Sequence, residues 1–159
     1  SMKLCGIETD VPFVIQWHMF AMFAPSFIAG SLIVRFGYQK VVMLGFVLFF
    51  GGIVSGLSGI TVAHFFITNV LIGAGWNFML VGATALLVTC HTEEEKGKVQ
   101  GANDTIAYIM AAISSFFAGF LQIEFGWNAV MIAIIPQILI VAAAVWWMRR
   151  SQLAPMVAE

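Results

Sequence analysis

The stretch "NVLIGAGWNFMLVGATA", residues 69–85, is oily enough to sit in lipid, yet it carries two asparagines, a tryptophan and three glycines. Nearly uncharged blocks of 18 or more residues read as membrane-spanning helices, because a bilayer core about 30 Å thick takes roughly 20 residues at 1.5 Å each. Lipid penalises unsatisfied polar groups, so polar side chains in a span face protein or a wet cavity. Residues 69–85 therefore read as part of a spanning helix with one working face.

The rest of the chain agrees with a membrane protein. Its 159 residues are 61% hydrophobic and 9% charged, against about 25% charged in ordinary soluble domains. Its 15 charged residues cannot cover a water-soluble fold of this size. The apolar blocks divide into five spans: Val11–Val34, Val41–Ser58, Ile60–Thr89, Asn103–Ile123 and Asn128–Trp147. None shows the polar–apolar alternation of a β-barrel strand. The expected fold is all-α, an integral membrane bundle of five transmembrane helices. It occupies residues 11–148, with an extracytoplasmic segment at 1–10 and a cytoplasmic tail at 149–159.

Lys and Arg set the direction. Arg35, Lys40, Lys96, Lys98, Arg149 and Arg150 all fall on one side of this five-span arrangement, and only Lys3 falls on the other. The N-terminus is thus expected outside and the C-terminus in the cytoplasm, as for a multi-pass protein of the cell (inner) membrane. Cys5 and Cys90 would lie on opposite sides and stay unpaired. A net charge of −1 gives nucleic acid no footing. The sequence has no HExxH, CxxC, phosphate loop or nucleophile–base spacing. Neither enzyme, metal nor cofactor is expected, and the lipid bilayer is the first partner.

Asn69, Gly73 and Asn77 are spaced by four, on one face of the third span, with Trp76 adjacent. The fourth span carries Asp104, Tyr108, Ser115 and Gln122 roughly on one face, and the first carries Gln16, His18 and Ser26. Such groups either join helices, at about 0.6 kcal/mol per hydrogen bond, or line a midplane cavity of the kind in which transporters bind substrate. The stripes on spans three and four favour the cavity. Trp127, Trp146 and Trp147 fall at interfaces, whereas Trp17 and Trp76 do not. Gly52 and Gly56 make a small-xxx-small step for close helix approach, and Gly73, Gly75 and Gly82 do the same for span three.

Three longer motifs carry a family resemblance. "GSLIVRFGYQK" (Gly30–Lys40), with Gly30, Arg35, Gly37 and Lys40, resembles the cytoplasmic loop motif of the major facilitator superfamily. Val34 stands where that motif usually has an acidic residue, as the second half of such transporters tends to show. "GWNFMLVGATALL" (Gly75–Leu87) with "EEEKGKVQGAND" (Glu93–Asp104) resembles the tenth helix, loop and eleventh helix of a bacterial subgroup, and "IQWHMFAMFAPSF" (Ile15–Phe27) its eighth. Some relatives of that kind are associated with riboflavin uptake. The resemblance implies helices eight to twelve of a twelve-helix secondary transporter. It further implies a partner: the missing N-terminal half or a second copy of the chain.

Two functions follow. In the first, the chain is part of a transporter moving a small-molecule substrate by alternating access. Gln16, Trp17, His18, Asn69, Gly73, Trp76, Asn77, Tyr108 and Ser115 are then pathway candidates. His18, the one ionisable side chain well inside a span, is the candidate for proton coupling, or else a neutral hydrogen-bonded histidine. Asn103 and Asp104 cap the cytoplasmic start of the fourth span. In the second, the chain is a non-transporting membrane scaffold or regulatory subunit, and its polar stripes are pairing surfaces.

Overall fold

A run of apolar residues with few breakers folds as helix, and the first three helices end where a breaker stands: Pro25, Gly37 and Gly59. The computed structural model describes residues 10–89, 91–92 and 94–153, and every regular element among them is helical. These are α1 (Val11–Phe23), α2 (Ser26–Phe36), α3 (Tyr38–Ser58), α4 (Val62–Val88) and α5 (Lys96–Leu153). Cys5, Cys90, Glu93 and the extracytoplasmic segment 1–9 lie outside the described residues, as do the end of the tail (154–159) and the side chains of Arg149 and Arg150.

The expected first span is two helices in line. Pro25 has no N–H for the carbonyl one turn earlier, so α1 closes with Ala24 N–H on Phe20 O. The chain then restarts with Ile28 and Ala29 N–H on Pro25 O. Together Val11–Phe36 make 26 residues, enough for one crossing. Gly37 alone joins α2 to α3, at φ 83°, a backbone region that favours glycine. Thr61 caps α4, its hydroxyl accepting from His64 N–H at 3.5 Å.

The second half differs from expectation. Four helices, not five, are long and apolar enough to cross a membrane among the described residues. The two last expected spans fall in one element, α5, whose backbone leaves helical values at Gly126 (φ 78°, ψ −174°). "QIEF" and "WN" on either side stay helical, so no loop separates the two. At 1.5 Å per residue the apolar part, Lys96–Trp147, would measure about 78 Å if straight, far more than one bilayer core.

The core lies between α3 and α4. A Cβ on Gly52 would meet Thr68 O at 3.1 Å, and one on Gly82 would meet Val42 Cγ2 at 2.5 Å. Thr68, Gly75 and Gly82 recur every seven residues, the repeat that keeps a seam facing its partner helix. Phe65 packs on Val14 of α1; Phe78 joins Val41 and Ala29; Val145 of α5 joins Val42 and Phe46. Trp127 ties α5 to this core, its indole N–H donating to Gly56 O at 2.9 Å. Trp127 is thus a joint as well as a residue of interfacial type. Residues 101–117 of α5 are exposed throughout.

Candidate functional site: the α1–α4 seam

The stripe Asn69–Gly73–Asn77 meets His18, Met22 and Ser26, a second set spaced by four on α1 and α2. The pairs climb in step, so the two helices run in the same direction. At the first rung His18 Nδ1 lies 2.7 Å from Asn69 O. A carbonyl only accepts, so Nδ1 carries the proton and Nε2 of the neutral ring is an acceptor. The Asn69 amide turns back along its own helix, donating to Phe65 O at 2.8 Å.

The second rung is Gly73. A side chain there would place its Cβ 2.8 Å from His18 O and 3.2 Å from the imidazole. A bare α-carbon is what lets α1 come close enough for the histidine to reach Asn69.

At the third rung Asn77 is 2% exposed. Its Nδ2 donates to Met22 O and to Ser26 Oγ, both at 2.6 Å. The amide therefore bridges the Ala24–Pro25 break, one hydrogen to the last turn of α1 and one to the first residue of α2. Its Oδ1 is buried without a partner among the described residues.

Trp17 and Gln16 stand on the outer side of α1. With Phe20 they line a recess of about 320 Å³. Trp17 sits edge-on to Phe20 (5.5 Å) and to Phe66 of α4 (6.1 Å), and Phe66 stacks on Phe13 at 5.6 Å. Trp76, next to Asn77, is 37% exposed. A second recess of about 440 Å³ lies between α2 and α4, lined by Gly30, Ile33, Leu80 and Thr84 among others.

The remaining candidates fall elsewhere. Tyr108 and Ser115 stand on the exposed stretch of α5 rather than in the seam. Asn103 and Asp104 are not at a helix start: α5 begins at Lys96, and both lie inside it, with Asn103 Nδ2 3.2 Å from Asp104 Oδ1. The helix starts about two turns earlier, after a closed turn. Thr92 donates to Glu95 Oε2 from both N–H (3.5 Å) and Oγ1 (3.3 Å), and the first helical bond runs from Val99 N–H to Glu95 O at 3.0 Å. Of the loop motif, Gly30, Arg35 and Lys40 are exposed, and the Arg35 guanidinium lies 5.2 Å from the Phe36 ring centre. No group of metal-ligating side chains occurs among the described residues.

Two residues escape a reading of the sequence. Met22 contributes only its backbone carbonyl, which no side-chain pattern reveals. Thr68 is fully buried with Oγ1 unpartnered among the described residues; its seven-residue spacing to Gly75 and Gly82 is a usable signal.

The Major Facilitator Superfamily profile matches residues 8–157. The riboflavin transporter RfnT of Brucella anthropi is 46% identical over 127 residues, 80% of this chain and 32% of that protein. Two Bacillus subtilis proteins, the uncharacterized MFS-type transporters YddS and YdeG, are 26% and 29% identical over 91% and 86% of this chain. The chain spans about a third of the length of each of these curated relatives. No solved structure matches.

Proposed function

This chain belongs to the Major Facilitator Superfamily, and from that premise we propose that it forms part of a secondary active transporter for a small, flat organic solute, with riboflavin the first candidate. The observation that carries the solute is the 46% identity to a riboflavin transporter over four fifths of this chain. The α1–α4 seam supports a solute path along it. It gathers His18, Asn69, Gly73 and Asn77 between two helices free of Asp, Glu, Lys and Arg, with Gln16, Trp17 and Trp76 beside it.

In this reading the chain is a multi-pass protein of the inner membrane, entering from outside at α1 and ending in the cytoplasm. α5 folds back at Gly126 to make two crossings, so five spans correspond to helices eight to twelve. The solute is exchanged by alternating access against a second bundle, either an N-terminal half or a second copy of this chain. His18 carries the coupling proton on Nε2. Tyr108 and Ser115 face that second bundle.

Expression in a bacterium that needs external riboflavin tests this. The reading frame containing this sequence should restore growth at limiting riboflavin and take up labelled riboflavin saturably. Stable membrane expression without riboflavin binding or uptake would favour a scaffold instead.

A further inference from the structure

We propose that Asn77 Oδ1 is the acceptor for a neutral hydrogen-bond donor of the transported solute, bound where α1 and α2 part at Pro25. This deepens the transport reading above and rests on it.

Both hydrogens of the Asn77 amide are engaged, on Met22 O and Ser26 Oγ. The orientation is set by chemistry, since turning the amide would aim its oxygen at the Met22 carbonyl, which cannot donate. The nitrogen therefore serves the fold, supplying a donor at the break where proline supplies none. The oxygen serves no such purpose. It is buried with no partner among the described residues, and a buried acceptor left unpaired is unfavourable against one that is paired.

The surroundings limit what can fill that valence. Residues 11–34 and 41–89 contain no Asp, Glu, Lys or Arg. An ionic group would find no counter-charge there, and an anion would be repelled by the oxygen itself. A small cation needs several oxygens, and Ser26 Oγ already faces the amide hydrogens. What remains is an uncharged N–H or O–H. Access comes through the break: α1 and α2 are separate helices at this level, so α1 can swing from α4 while α2 stays against Val41 and Phe78 through Ala29. The half-exposed ring of Trp76 on the next residue offers a flat solute a face.

The test is a cycle between protein and ligand, made on the intact transporter in nanodiscs and read by flavin fluorescence. The probes are riboflavin, its N3-methyl analogue, which lacks the imide N–H, and lumiflavin, which lacks the ribityl hydroxyls. The wild-type protein should bind one analogue roughly threefold to tenfold more weakly than riboflavin, and which one identifies the donor. In Asn77→Ala that difference should vanish. Ser26→Ala, which loosens the clamp and keeps the oxygen, should retain the difference while melting at lower temperature. Equal binding of all three probes, or a difference that survives in Asn77→Ala, would overturn the assignment and leave transport standing. No binding of any flavin would overturn both.

Discussion

Gly45 and Gly75 face each other where α3 crosses α4: a Cβ on either would stand 2.7 Å from the carbonyl oxygen of the other. The obstructing atoms are backbone, and backbone cannot rotate aside as a side chain can. The two helices thus touch main chain to main chain, where dispersion supplies the adhesion that lipid cannot.

Gly75→Ala should therefore destabilise the bundle by about 1–3 kcal/mol through overpacking. Gly101→Ala, where nothing lies within 4 Å of the new carbon, should stay within about 0.5 kcal/mol. Melting in detergent measures both. Equal melting temperatures would mean that the crossing is looser than its geometry.

Trp127→Phe keeps a ring against Phe65, whose centre lies 5.0 Å away, and removes the donor to Gly56 O. A loss of about 0.5–1.5 kcal/mol is expected, and Trp127→Ala should lose more. If Trp127→Phe matches wild type, the hydrogen bond is dispensable and the ring alone holds α5.

His18→Gln separates binding from coupling. A glutamine amide can still donate to Asn69 O but does not take up a proton. Riboflavin exchange between two equal pools should persist, while uptake driven by an imposed proton gradient should disappear. Gradient-driven uptake at the wild-type level would remove His18 from coupling.

The fold-back proposed at the Gly126 kink makes a topological prediction. Ile123 is 82% exposed, and Ile123→Cys in a cysteine-free background should react with an impermeant thiol reagent on intact cells. Protection there, with labelling only after lysis, would place the bend in the cytoplasm and reverse the orientation. Gly126→Ala should also weaken the bend, since φ 78° strains any residue with a side chain.

The spans as far as Val88 are legible in the sequence, because nothing charged interrupts them except Arg35 and Lys40 at the α2–α3 junction. The shared face of Asn69, Gly73 and Asn77 is legible too, from spacing alone. Its partner is less so: Met22 answers Asn77 with a carbonyl, and every residue type carries one. The α5 bend is legible as a polar interruption, "QIEFGWN", but not as a single residue. Gln, Ile, Glu and Phe all tolerate helix, and only Gly126 departs from it. The start of α5 is easily misplaced because Asn103 and Asp104 resemble a cap by residue type. The turn that precedes α5 is closed instead by Thr92, whose N–H and hydroxyl both donate to the Glu95 carboxylate.

The hydrogen bonds across the α1–α4 seam have a consequence for biosynthesis. A helix holding Asn69 and Asn77 is a poor guest in bare lipid. Asn69 finds its acceptor on its own helix at Phe65 O, but the receptors of Asn77, the Met22 carbonyl and Ser26, lie some fifty residues nearer the N-terminus. On the ribosome they are made first, so α4 emerges beside a surface that already offers what the Asn77 amide needs. Moving α1 after α4 in a permuted gene would keep every final contact. It would also leave Asn77 waiting in the membrane, exposed to quality control, until its partners were made.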